Sequence, residues 1–194
     1  MLSVSSVVRV KVGEAFEAGV WRVVVLDVRE SCCIEGPEGS IYRQAPKGKK
    51  VVLVDVRVEN RGVDPSQYGN PFGGGLGQFT RPKLITNTGN ECLDLGLKVC
   101  EDGKLVYAII EPYTGRVIKT ILDDYLEVVK TPDMEFLSKV IKSEGIFCAN
   151  LLPGTASEGD LLYVIPENEL PTKLITTYNP PLHKPPITFE VMLK

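Results

Sequence analysis

Valine, isoleucine and leucine recur along this chain in short runs whose spacing is mostly two. The clearest run is 50–59. Val52, Val54, Val56 and Val58 fall on one face, and Asp55, Arg57 and Glu59 fall on the other. Successive side chains of a pleated strand point to opposite sides, so this segment predicts a strand with one buried and one wet face. Residues 7–12 and 20–28, rich in β-branched side chains, predict two earlier strands, with Gly13 and Gly19 bracketing the link. Gly36-Pro37-Glu38-Gly39 is turn chemistry. Residues 83–86 form a short strand before the turn Asn87-Thr88-Gly89-Asn90, and 104–110 with 116–121 read as a hairpin around 111–115. Four strands close the chain, at 146–151, 160–165, 173–178 and 187–193.

Two stretches break this rhythm. Residues 64–81 form a long loop with two prolines, the run Gly73-Gly74-Gly75-Leu76-Gly77, and the aromatics Tyr68, Phe72 and Phe79. Loops of this length inside a domain are commonly functional. In 122–130 the apolar residues Leu122, Tyr125, Leu126 and Val129 take helical spacing. Thr131-Pro132-Asp133 then reads as an N-cap, a first-turn proline and an acidic first turn. Phe136, Leu137, Val140 and Ile141 make one stripe, with Gly145 as a C′ residue. The expectation is one or two short helices inserted at about 122–144. Roughly eight to ten short strands with turns between them predict a mainly β, immunoglobulin-like antiparallel β-sandwich, a single domain over 1–194 with a short helical insertion.

The 194 residues are enough for an ordinary core, and the 43% hydrophobic and 24% charged fractions are those of a folded chain. A formal net charge of −3 argues against nucleic acid, which needs a basic surface; the densest basic run is Lys47-Gly48-Lys49-Lys50. No apolar run approaches the roughly 20 residues a membrane helix requires. The first twelve residues lack a basic stretch followed by an apolar one, so no secretory leader is expected here.

Three segments carry a family likeness. Ala45-Pro46-Lys47-Gly48-Lys49-Lys50 leads into the valine strand, which ends at Asn60-Arg61-Gly62. Leu84-Ile85-Thr86-Asn87-Thr88-Gly89-Asn90-Glu91 follows. Leu152-Pro153-Gly154, Glu158-Gly159, Tyr163-Val164-Ile165-Pro166 and the strand at 187–193 close the series. This order resembles the uncharacterised telokin-like, immunoglobulin-like domains of bacterial and archaeal cell-envelope lipoproteins. The likeness covers most of the chain and excludes about 92–146. It implies the fold and a place at the cell envelope or outside the cell. The family has no assigned activity and no shared catalytic residues, and this chain lacks its usual lipoprotein leader.

Candidate chemistry is sparse. The glycine run lacks the G-x-G-x-x-G spacing and the Gly-Lys-Ser/Thr of nucleotide loops, so it reads as a surface loop. The only histidine, His183, lies in Pro180-Pro181-Leu182-His183-Lys184-Pro185-Pro186 and reads as part of a stiff linker. Asp123 and Glu127 would lie one helical turn apart and read as the wet face of a helix. The five cysteines form no C-x-x-C pair. Cys92 and Cys100 flank Gly96 symmetrically and would form a disulfide if Gly96 were a hairpin tip. A turn at Glu101-Asp102-Gly103 would instead make Cys100 a core residue. Cys32 and Cys33 should point to opposite faces of a strand, and Cys148 reads as a small buried hydrophobe.

No metal, cofactor or catalytic set is therefore expected. The leading expectation is a non-catalytic binding or structural module that contacts another protein through Tyr68, Phe72 and Phe79 if these rings are exposed, the other reading being that they fold back to cover a sheet edge. The alternatives are a small-ligand or metal-binding protein or enzyme built on scattered residues (a cysteine with His183, or Asp123 with Glu127), and an assembly subunit pairing through sheet edges.

Overall fold

The valine runs do become strands. The structure, a computed structural model, describes residues 6–36, 41–95, 100–101, 104–105, 109–110, 117–119, 121–143, 147, 150–182 and 184–194. Its strands are β1 (Ser6–Lys11), β2 (Ala15–Ala18), β3 (Trp21–Ser31), β4 (Cys33–Glu35), β5 (Tyr42–Gln44), β6 (Lys49–Asn60), β7 (Gln78–Phe79), β8 (Lys83–Thr86) and β9 (Glu91–Leu93). They continue with β10 (Cys100–Glu101), β11 (Lys104–Leu105), β12 (Ile109–Ile110), β13 (Val117–Lys119), β14 (Glu127–Val129), β15 (Val140–Lys142), β16 (Ala156–Pro166), β17 (Pro171–Asn179) and β18 (Ile187–Met192). A short helix α1 (Met134–Lys139) and 3-10 turns at Pro65–Gln67 and Ile121–Asp124 complete the described elements.

Three sheets carry the architecture. The front sheet runs β1-β18-β17-β8-β9, with β7 also on β17. The middle sheet runs β16-β6-β3-β2, and the back sheet β14-β5-β4-β15. Two small ladders join β10 to β11 and β12 to β13. Front and middle sheets enclose the larger core, so the protein is a mainly β sandwich. Its pairing is not wholly antiparallel. β1 runs parallel to β18 and β15 parallel to β4, two pairs whose members lie far apart in sequence, as parallel pairing requires.

β6 shows how the layers stack. Val52, Val54, Val56 and Val58 enter the larger core, joined by Leu161, Tyr163 and Ile165 of β16. Val51, Leu53 and Leu162 point the opposite way, into a second core with Ile34, Ala45, Leu122 and Leu126. Strict alternation therefore feeds two cores from one sheet. Residues 51–54 are buried on both faces, whereas 55, 57 and 59 stay half-buried beyond the edge of the back layer.

A bulge sets the polar end of that outer face. The β3–β6 register shifts between Val25 and Asp27, leaving Leu26 as the extra residue. Val25 is fully buried in the larger core. Without the bulge, alternation would aim Asp27 inward as well. With it, Asp27 and Arg29 lie on the outer face beside Asp55.

The insertion differs from its sequence reading. Residues 127–129 pair with β5 as a strand, so helical spacing from Leu122 is interrupted after the 3-10 turn at Ile121–Asp124. α1 holds six residues and buries none of them. Asp133, not Thr131, is its N-cap, accepting from the Phe136 N–H at 2.7 Å. Val140 and Ile141, placed on the helical stripe by their spacing, belong to β15. What the apolar residues built instead is the second core. The expected hairpin survives in part, as Ile109–Ile110 paired with Val117–Lys119. Gly145, the turn at 37–39 and the proposed tip at Gly96 lie outside the described residues.

The cysteines also depart from expectation. Cys32 and Cys33 form a disulfide. Cys32 sits between β3 and β4 rather than within a strand, so strand alternation does not separate the two sulfurs. Cys92 is free and half-buried on β9. Cys100 pairs with Leu105, so its hairpin turns after Glu101, the rival reading; the Cys92–Cys100 bridge is not formed. Cys148 lies outside the described residues.

Candidate functional site

The long loop at 64–81 is held at one end of the sandwich by its own polar groups. Asn60, buried at the end of β6, donates from Nδ2 to the carbonyls of Gln67 (2.8 Å) and Leu151 (3.0 Å). Its Oδ1 accepts the Gly62 N–H at 3.0 Å. The Asp64 carboxylate caps the 3-10 turn by accepting the Ser66 N–H, which holds its pKa below the usual range. Gln67 Oε1 accepts the N–H groups of Val63 (3.0 Å) and Asp64 (3.1 Å). Further along, Gln78 Oε1 accepts the Gly75 N–H, Gly74 N–H donates to the Phe79 carbonyl, and Gly77 N–H donates to the Asn179 carbonyl. Hydrogen bonding at this density gives the glycine run a defined path.

Phe72 and Phe79 fold back into the core, the other of the two readings. They are 3% and 0% exposed. Phe79 packs against Phe16, Phe72, Tyr178 and Phe189 with ring centroids 5.6, 6.1, 5.3 and 5.8 Å away, and Phe72 also meets Phe147 at 5.5 Å. Their spacing in a polar, glycine-rich stretch suggested a surface; burial of ring area against the sheet ends decided otherwise. Tyr68, by contrast, is 49% exposed, and the neighbouring Leu76 is 79% exposed.

These two rim a cleft of about 370 Å³ between the loop, the β2–β3 turn and the end of β17. Trp21 and Tyr178 form its floor. The indole N–H of Trp21 donates to the Gly77 carbonyl at 2.8 Å and ties β3 to the loop. Tyr178 is 5% exposed, and its hydroxyl has no hydrogen-bond partner among the described residues. Burial pushes that phenol's pKa up, so it is neutral and able to donate. Gly19, at φ +58°, lies so close to the hydroxyl that any side chain there would collide with it. A second hollow of about 460 Å³ shares Leu76 and is bordered by Asn179, Pro180, Lys184 and Pro186. Sequence reasoning found Tyr68 but missed Trp21, Gly19, Leu76 and Tyr178; the single tryptophan directly after a glycine turn was the available signal.

Of the other candidates, Glu127 and Cys92 have described side chains. Glu127 is exposed on β14, and the helical spacing that would pair it with Asp123 is absent; the Asp123 side chain and His183 lie outside the described residues. The Cys92 thiol is pushed up by burial and by Glu169, against Lys49, which makes it a poor nucleophile at neutral pH. Among the described residues no group of three His, Cys, Asp or Glu side chains could hold a metal ion, and no helix is long and apolar enough to cross a membrane.

A charged strip does lie on the outer face of the middle sheet. Asp27, Asp55 and Asp160 are direct cross-strand neighbours. Asp160, 1% exposed, accepts from Arg29 at 2.8 Å and from the Ser143 hydroxyl at 2.9 Å. Among the described residues Asp55 has no such partner. Its pKa is raised by burial first, then by Asp160, with Glu158 and Asp27 adding and Arg29 opposing. The folded state thus binds the Asp55 proton more tightly than the unfolded state does. Ionised Asp55 subtracts from stability at neutral pH, and the penalty fades as pH falls through the raised pKa. Because the Asp55 carboxyl remains partly solvated, Asp55→Asn is expected to raise stability by only about 0.2–0.5 kcal/mol at pH 7. The gain should vanish in acid, as read from urea unfolding at both pH values.

No family model and no curated protein matches the chain. Among solved structures, an uncharacterised β-sandwich protein from Clostridium difficile 630 is similar at 9% identity and a TM-score of 0.44, over 98% of this chain and 96% of that one.

Proposed function

We propose that this protein is a non-catalytic binding module whose contact surface is the end cleft rimmed by Tyr68 and Leu76. The observation that carries the reading is the combination of an exposed aromatic and an exposed leucine over the unpartnered hydroxyl of a mostly buried tyrosine, Tyr178. Large exposed apolar side chains beside a preformed hollow with a directed polar group are the usual make-up of a recognition site. Among the described residues the cleft's lining contains no Asp, Glu, Lys, Arg or His, which favours binding over acid–base catalysis. The sequence likeness to telokin-like, immunoglobulin-like envelope domains supports an extracytoplasmic setting.

The test places a photo-crosslinking amino acid at Leu76 and, as a control, at Val128 on the back sheet, which is 45% exposed. Irradiation in an extract of the source cells should give a discrete adduct from position 76 alone. Equal labelling from both positions would remove the cleft from the function.

A further inference from the structure

The cleft is one-sided in its hydrogen bonding. Two glutamines line it, Gln67 and Gln78. In each the amide oxygen is already committed to backbone N–H groups: Gln67 Oε1 to Val63 and Asp64, Gln78 Oε1 to Gly75. Those bonds fix which end of each amide is oxygen, and they leave the NH2 groups as donors. In Gln78 the Nε2 end faces Gly69, another cleft residue. The Tyr178 hydroxyl adds a third donor without a partner. The Trp21 indole, which could have been a fourth, is spent on Gly77. The Ser66, Tyr68 and Tyr178 hydroxyls accept as well as donate, but with both glutamine amides presenting N–H groups the side-chain donors still outnumber the acceptors, and among the described residues no charged side chain lines the cleft.

A complementary ligand must bring hydrogen-bond acceptors, little need for acceptors in return, no net charge, and apolar surface for Tyr68, Leu76 and Pro181. Sugars fit less well, because every hydroxyl that accepts also has a proton to place and only the Ser66, Tyr68 and Tyr178 hydroxyls could take one. Ordinary extended peptides bring an N–H for each carbonyl. Proline residues bring a carbonyl and no N–H. The geometry points to a proline-rich peptide in the extended polyproline II form as the occupant of this cleft. Its carbonyls would accept from Tyr178 and the glutamine amides, and its rings would pack on the rim. Leu76 stands as a ridge shared by the two hollows, and a left-handed helix repeating every three residues, about 9 Å, presents grooves that such a ridge can enter.

This inference rests on the reading of the cleft as a binding surface, and the experiment separates the two. The reporter is Trp21, the only tryptophan, whose indole N–H forms part of the cleft wall. The probes are acetylated and amidated deca-proline, a Gly-Ser decapeptide with the same ends, and cellohexaose. The indole cross-peak of 15N-labelled protein should shift saturably with deca-proline and not with the other two. Tyr178→Phe keeps the ring and removes an unpartnered hydroxyl, so it should leave Tm unchanged while weakening deca-proline about tenfold. Saturation by cellohexaose in place of deca-proline would overturn the peptide assignment, as would no response to any probe or an affinity unchanged in Tyr178→Phe. If the position-76 adduct still forms in any of those cases, the binding surface stands and only the ligand class falls. If the adduct is absent too, both fall.

Discussion

Phe79→Ala is expected to cost about 3–5 kcal/mol, the largest loss from any single truncation around the cleft. The ring is fully buried and meets four other aromatic rings, so deletion leaves a cavity that flanking strand ends cannot close. The measurement is urea unfolding. The midpoint should fall with an unchanged slope, because the same surface is exposed on unfolding. Tyr68→Ala, eleven positions earlier in the same loop, should change stability by no more than about 0.5 kcal/mol. Equal effects at the two positions would show that the division of this loop into core and rim is wrong.

The second large effect lies at the other end of the sheet. Arg29→Met is expected to cost about 3 kcal/mol at neutral pH, since it removes the cation from a carboxylate that stays buried. Asp160 would keep only the Ser143 hydroxyl, while Asp55 remains its direct cross-strand neighbour. The same change frees the Lys142 carbonyl, which accepts from Arg29 Nη1 at 2.7 Å, and so loosens the end of β15. Two companion measurements identify the cause. The loss should shrink as pH falls and the carboxyls take up protons, and the double variant Arg29→Met/Asp160→Asn should recover most of it. A loss independent of pH and not recovered by Asp160→Asn would trace instead to packing of the arginine stem.

The sandwich was legible because its signal is local. Alternation over 50–59 is a property of ten consecutive residues, and it survives as the buried row Val52, Val54, Val56 and Val58. The back layer was not legible in the same way. Leu122, Leu126 and Ile141 were correctly seen as apolar, but their spacing fits a helix until their partners are known; the second core with Ile34, Leu53 and Leu162 is a long-range fact. The bulge at Leu26 is a similar case, since nothing local distinguishes it from its neighbours. At the site, composition marked the correct loop but could not rank its aromatics. Tyr68 and Phe79 sit in similar local sequence, and only the sheet beneath decides which one is buried. Trp21 and Tyr178 come from strands more than 150 positions apart and meet only in the folded chain.

The way the loop is fastened has an evolutionary consequence. Its path is fixed by Asn60, Gln67, Gln78 and main-chain hydrogen bonds, while Tyr68 and Leu76 at the rim carry none of that burden. Rim side chains can therefore be exchanged in a descendant without touching the residues that hold the loop in place. Only part of specificity is inherited apart from foldedness: Tyr68 and Leu76 are free to vary, whereas Gln67 and Gln78 both hold the loop and line the cleft. A lineage built on this plan can change what it recognises while the sandwich beneath stays as it is.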